Sequence, residues 1–236
     1  TLEGDYLIAR GASDMKGQVM AVLSAIDSVA QTNEPPLNLK FLFEGEEEIG
    51  SPSLETFIAS HRDLLACDMV LNPDAGMVGP DSPTIVYGLR GLIYFEVRID
   101  GPKADLHSGL FGGVVANPAI VLSEIIASLH APDGSVAIPG FYDQVLPLTP
   151  EEKARIAANP IHESDLLAIT GAPALYDEAG FTPMERIGAR PTLDVNGLYS
   201  GFIGEGSKTI IPAYANAKIS CRLVPNQDPD QVYDAI

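Results

Sequence analysis

Between Ile93 and Asp100 apolar and polar residues alternate without a break: Ile93, Phe95, Val97 and Ile99 against Tyr94, Glu96, Arg98 and Asp100. A strand turns successive side chains to opposite faces, so this pattern fits a sheet with one face buried and the other open. The predicted strand covers residues 89–100, preceded by a shorter one at 84–87. A final strand at 213–224 repeats the pattern, with Ala215, Ala217, Ile219, Cys221 and Leu223 on one face and Tyr214, Asn216, Lys218, Ser220 and Arg222 on the other. A domain with a one-sided sheet therefore begins near residue 88.

The segment before it is patterned differently. Short apolar runs at 6–9, 37–43 and 68–71 read as buried strands. Val19, Val22, Leu23, Ile26, Val29 and Ala30 fall at helical spacing, as do Leu54, Phe57, Ile58, His61 and Leu65 after the start signal Ser51-Pro52. Strand, helix, strand, helix, strand predicts a parallel α/β sheet in residues 1–88. Beyond residue 100 a glycine-rich loop leads to a helix capped by Asn117 with Pro118 at its first position. A long Pro- and acid-rich excursion follows at 131–188, where Thr149 and Glu152 form the capping box of one helix.

With 236 residues, 46% of them hydrophobic, the chain can bury a core in one large domain or two small ones. Fourteen Lys and Arg against 32 Asp and Glu give a net charge of −18, a field that repels a phosphate backbone and argues against nucleic acid as a partner. No apolar run approaches the ~20 residues that cross a bilayer, and no basic amphipathic helix points to a membrane surface. Two cysteines, Cys67 and Cys221, are too few for a disulfide scaffold; we read both as core residues of a reducing, cytoplasmic compartment. Residue 1 is Thr rather than Met, and residues 228–236 read as a helix just beginning, with Asp228 as cap and Pro229 first. We therefore expect the chain to be cut from a longer protein.

In an open parallel sheet, ligands bind beyond the carboxyl ends of the strands. The segments that follow the three predicted strands are all acidic: Arg10 to Gly17 with Asp14, Glu44 to Ser51 with Glu46, Glu47 and Glu48, and Asn72 to Gly76 with Asp74. Singly these are a helix cap, a solvated run and a turn former. Together, like charges at one rim raise each other's pKa unless they share a cation, which makes a metal site the better reading. Carboxylates alone would suit Mg²⁺ or Mn²⁺, whereas zinc usually takes imidazole or thiolate as well. Of the four histidines, His61, His130 and His162 read as structural or surface residues. His107, between a strand and a helix and flanked by glycines, is either a substrate contact or an ordinary loop histidine. Arg222, on the polar face of the last strand, is either solvated or a guanidinium fork for a carboxylate.

Several stretches resemble, in order, the signature segments of the carnosinase-type branch of the zinc aminopeptidase, carboxypeptidase and aminoacylase superfamily. They are residues 11–17, Glu44 to Ser51, Tyr87-Gly88-Leu89-Arg90-Gly91, Asp105 to Gly113, residues 206–212 and Arg222-Leu223-Val224-Pro225-Asn226. The resemblance covers nearly the whole chain. It implies part of an α/β zinc-peptidase catalytic domain (1–88) with an inserted α+β lid or dimerisation domain (89–236). It further implies two zinc ions per intact chain, replaceable by Mn²⁺ or Co²⁺, with Asp14 bridging them, Glu48 and Asp74 as ligands and Glu47 as general base. His107 would reach the site of the other protomer in a homodimer and steady an oxyanion, and Thr209 and Arg222 would hold the carboxylate end of a dipeptide.

Members of that family carry a His-x-Asp motif upstream of the segment matching residue 1 and a further zinc-binding His downstream of the segment matching residue 236. Neither is in this chain, so we expect it to bind zinc weakly and to be inactive by itself. Dipeptide hydrolysis is the expected activity of the intact protein, with N-acyl amino acid amidohydrolysis the alternative within the class. Mg²⁺-dependent phosphoryl transfer is disfavoured by the lack of a phosphate-binding glycine loop. A non-catalytic dimerisation module is a third reading.

Overall fold

The structure, a computed structural model, describes residues 1–32, 37–77 and 82–236. They form two compact units, Thr1–Thr84 and Ile85–Ile236.

The first unit opens on a hairpin in which β1 (Leu2–Glu3) pairs antiparallel with β2 (Tyr6–Leu7). Gly4 takes a positive φ of 62° at the turn, a conformation only glycine adopts without steric cost. Helix α1 (Lys16–Thr32) follows as its apolar spacing predicts. A one-turn 3₁₀ helix (Glu47–Ile49), α2 (Leu54–Ser60) and α3 (Arg62–Leu65) complete the unit. The helix expected through residue 65 breaks at His61, whose ring stacks on Phe57 at 4.3 Å and whose Nδ1 lies 3.0 Å from the Phe57 carbonyl.

The parallel sheet expected here does not form among the described residues. Residues 6–9 begin in an antiparallel hairpin, and neither 37–43 nor 68–71 pairs with another strand. A strand persists only where a neighbour takes its N–H and C=O groups, and these two runs meet none among the described residues. Their apolar side chains are correspondingly open, Phe43 at 63% and Val70 at 81% exposure. No described residue of the unit is buried. Cys67 is exposed, which corrects its reading as a core residue.

The second unit has the one-sided sheet. Strand β3 (Gly91–Asp100) pairs antiparallel over its whole length with a later strand, from Gly91 opposite Leu223 to Asp100 opposite Tyr214. Beyond β3 come β4 (Leu106–His107), α4 (Ser108–Phe111) and α5 (Pro118–Ser128). The excursion holds three helices, not one: α6 (Pro150–Ala157), α7 (Glu163–Thr170) and α8 (Pro183–Ala189). Strand β5 (Thr192–Ser200), unforeseen in the sequence, is followed by β6 (Ile210–Ile211), β7 (Tyr214–Leu223) and α9 (Pro229–Ala235). Strand order is β3-β7-β5, so β7 is central.

The parity read from the sequence holds on β7. Ala215, Ala217, Ile219, Cys221 and Leu223 are all buried, and Lys218 and Arg222 are exposed. Asn216 is the exception on the polar face, covered at 8% exposure with its amide donating to the Tyr199 hydroxyl. Leu122 of α5, Val232 of α9 and Val136, Ile138 and Phe141 of the excursion pack on the buried face. Full burial of each large apolar side chain contributes about 1.5–3 kcal/mol.

The excursion is fixed by a clamp. Arg190 forks onto the buried Glu178, its Nε donating to both carboxylate oxygens at 3.1 and 3.2 Å and its Nη2 to Oε1. The guanidinium lies between the rings of Tyr142 and Phe181, 4.5 and 4.1 Å from their centroids. Gly134 (φ 84°) packs so closely on the same segment that a Cβ would lie 1.8 Å from the Asp177 carbonyl oxygen.

Candidate functional site

The acidic loops of the first unit bring four expected residues into electrostatic range. Glu47 and Glu48 sit in the 3₁₀ turn, which Gly50 ends with a φ of 85° while donating its N–H to the Glu47 carbonyl. Asp74 stands in a tight turn built by Asn72, whose Oδ1 accepts the Asp74 N–H at 3.0 Å. Asp14 lies two residues before α1, and its peptide bond to Met15 is cis. Glu47 is exposed, yet its carboxyl is held above the ordinary carboxylate range, first by partial loss of solvent and then by repulsion from Glu48, Asp74, Asp14 and Glu44. That repulsion is the physical sign that three separate loops carry their charges to one region.

Glu46, left without a role in the sequence, has a structural one. Its carboxylate accepts the Ser53 N–H at 3.1 Å just ahead of α2, and its carbonyl accepts the Ile49 and Ser51 N–H groups. The side-chain carboxylates of Asp14, Glu47, Glu48 and Asp74 accept no hydrogen bond among the described residues and remain available. They do not, however, close a metal site: among the described residues no three His, Cys, Asp or Glu groups stand near enough to hold an ion. The donor chemistry suits a divalent cation, but the arrangement by itself does not assemble the coordination shell.

In the second unit the fold joins two expected residues that lie 102 positions apart. Strands β4 and β6 pair antiparallel, His107 opposite Ile210, and the Ser108 N–H donates to the Thr209 carbonyl at 2.9 Å. His107 and Thr209 thereby become neighbours, both exposed. His107 also caps α4, its Nδ1 accepting the Gly109 N–H at 2.9 Å. An imidazole that accepts at Nδ1 carries its proton on Nε2, so the free edge of the ring is a donor. Gly109 is required for this contact, because a Cβ there would lie 2.7 Å from His107 Cε1. Asn72 is a positioning residue that sequence reasoning missed, and Gly109, read there only as a flanking glycine, orients the ring through its N–H; each lies within two positions of the residue it orients. Beside α4 opens a groove of roughly 490 Å³, lined by Val114, Val115, Ile120, Val121 and Ile211 among others.

Arg222 projects from the open face of β7, flanked in register by Leu92 on β3 and Thr192 on β5. Its guanidinium makes no hydrogen bond or ion pair among the described residues. Two other histidines take the structural parts expected of them. His130 Nε2 lies 3.1 Å from the Leu193 carbonyl, and His162 precedes α7 with its N–H on Asp165.

The family described as "Peptidase dimerisation domain" (M20_dimer) matches residues 87–236. The Cys-Gly metallodipeptidase dug1 of Schizosaccharomyces pombe is 38% identical over 230 residues, covering 96% of this chain and 48% of that protein. The Beta-Ala-His dipeptidase of Homo sapiens is 32% identical, over 96% of this chain and 45% of its own length. Among solved structures, the M20 family metallo-carboxypeptidase Sso-CP2 from Sulfolobus solfataricus superposes with a TM-score of 0.84 at 41% identity, covering all of this chain and 54% of that one. Human carnosine dipeptidase 1 gives 0.82 at 31% identity, over all of this chain and 50% of its own. The chain spans about half the length of the curated relatives it matches. Sequence and fold thus agree with the resemblance drawn from the motifs, and the chain belongs to the M20 peptidase dimerisation domain family.

Proposed function

We propose that the intact protein carrying this chain is a metal-dependent peptidase that hydrolyses the amide bond of dipeptides or short peptides. The observation that carries this reading is the His107 arrangement: an exposed imidazole with a fixed tautomer and a free Nε2–H beside Thr209. Such a donor suits the oxyanion of a tetrahedral intermediate. Relatives at 38% and 32% identity are named as dipeptidases, which favours a peptide substrate.

We assign the general-base role to Glu47, whose carboxyl sits above the usual range among its acidic neighbours. It takes the proton of the attacking water as the new C–O bond forms and returns it to the departing nitrogen as the C–N bond breaks. His107, contributed by the second protomer of a homodimer, donates to the carbonyl oxygen while it carries negative charge. Thr209 and Arg222 hold the substrate's carboxylate end. Asp14, Glu48 and Asp74 are the residues we assign to a divalent metal, with a pair of zinc ions expected and Mn²⁺ or Co²⁺ as substitutes. When bound, it would supply carbonyl polarisation and a more acidic water. Residues 1–88 belong to the catalytic domain in this reading and 89–236 to the lid. The two free thiols favour a cytoplasmic setting.

Because the described residues do not close a metal site, we expect the 236-residue chain alone to bind zinc weakly and to be inactive; tight binding of two ions in a titration would contradict this. The activity is tested on the intact protein with Cys-Gly, β-Ala-His and N-acetyl amino acids. Dipeptide cleavage, lowered by about 10²-fold or more in Glu47→Gln, is the expected result. Preference for N-acetyl amino acids would replace it with an amidohydrolase. A dimer that cleaves neither would leave a dimerisation module, the reading favoured by the family description of residues 87–236.

A further inference from the structure

The arginines of Ile85–Ile236 divide into two groups. Four are neutralised within 4 Å: Arg98 by Asp100, Arg155 by Glu151, Arg186 by Asp177 and Arg190 by Glu178. Arg90 and Arg222 have no such partner among the described residues, and these two are neighbours. Arg222 stands opposite Leu92 of β3 and Thr192 of β5, and Arg90, one residue ahead of β3, lies two residues before Leu92 and hydrogen-bonds the Arg190 carbonyl two residues before Thr192. Arg90 is held below the ordinary arginine range, first by burial and then by the charge of Arg222.

In a chain of net charge −18, two adjacent unpaired guanidinium groups are an exception that calls for an anion. The one carboxylate that acts on Arg90, Asp194, makes no ion pair with either arginine and accepts the Thr192 hydroxyl at 3.2 Å. Arg90 is also anchored, its Nη1 donating to the Arg190 carbonyl at 3.3 Å, so its position is tied to the clamp that fixes the excursion. That leaves four of its five N–H donors uncommitted.

We propose that Arg90 and Arg222 together form a two-guanidinium seat for a carboxylate, with Arg90 the second binding residue. That the carboxylate is the C-terminal end of a peptide rests on the function proposed above; the seat itself does not.

The test uses the whole 236-residue chain without metal, following the arginine Nε–Hε NMR signals during titration with N-acetylglycine. Neutral N-acetylglycinamide and sodium chloride at matched ionic strength are the controls. Arg90 and Arg222 should shift together with one dissociation constant, while the four paired arginines stay still. Arg90→Gln should weaken the response of Arg222 by about tenfold, and Arg90→Lys should retain most of it. Unchanged β7 amide signals in both variants would exclude unfolding as the cause. An Arg90 signal that does not move, or that moves equally with chloride or the amide, overturns the seat. Dipeptide hydrolysis by the intact protein with Arg90 unmoved would sink the seat alone; both arginines binding carboxylate without hydrolysis would sink only the proposed function.

Discussion

The two units spend their apolar residues in opposite ways. In Ile85–Ile236 the alternating strands meet partners, and Leu122, Phe141, Ile219 and Leu223 are all at most 2% exposed. In Thr1–Thr84 the runs at 37–43 and 68–71 are as apolar, yet among the described residues they meet no ladder and none is buried. Hydrophobic composition is therefore not what builds a core. A buried face needs a second surface, and a strand needs a neighbour for its peptide groups. The candidate residues follow the same division: carboxylates on the open loops of the first unit, and an imidazole, a hydroxyl and two guanidinium groups on the ordered second one.

The largest expected difference is in thiol reactivity, since each unit carries one cysteine. Cys67 is exposed, while burial pushes the Cys221 thiol up to about 12. Maleimide or iodoacetamide at neutral pH should label the exposed Cys67 directly and Cys221 only through unfolding, slower by about 10³-fold or more. Comparable rates would mean that the core of the second unit opens as readily as the first unit stands open.

Breaking the clamp is the next largest perturbation. Arg190→Ala leaves the buried Glu178 carboxylate unpaired and should cost about 3–5 kcal/mol in urea unfolding followed at the β7 amides. Helix α1 should be unaffected. A loss below about 1 kcal/mol would show that water replaces the guanidinium and that the excursion does not depend on the pair.

The smallest effect concerns pH. Cys221 keeps its proton in the folded state from its ordinary value of 9.0 up to about 12, whereas the unfolded chain releases it near 9. The unfolded state thus binds fewer protons in that window, and stability of the second unit should fall as pH rises through it. The drop between pH 8 and pH 10 should shrink in Cys221→Ala. An identical drop in that variant would assign the pH dependence to other groups.

Much of the second unit was legible because its signals are local. The alternation of β3 and β7, the Asn117 cap and the Thr149 box all appear as read. Helix α8 repeats that box with Thr182 and Glu185, so it too was readable and was overlooked. Strand β5 was harder, because a register shift between Val195 and Gly197 interrupts its alternation. In the first unit the apolar runs were visible, but their pairing depends on surfaces a linear pattern does not contain.

The sequence by itself determined the helix starts, the parity of Arg222 and the acidic character of the three loops, because these depend on residues within a few positions of each other. Only the tertiary structure decided that His107 adjoins Thr209, that Gly109 fixes the imidazole's tautomer, and that Arg90 adjoins Arg222 while the other arginines of that unit are neutralised. Contacts across a hundred residues are set by register and burial, which exist only after the chain has closed on itself.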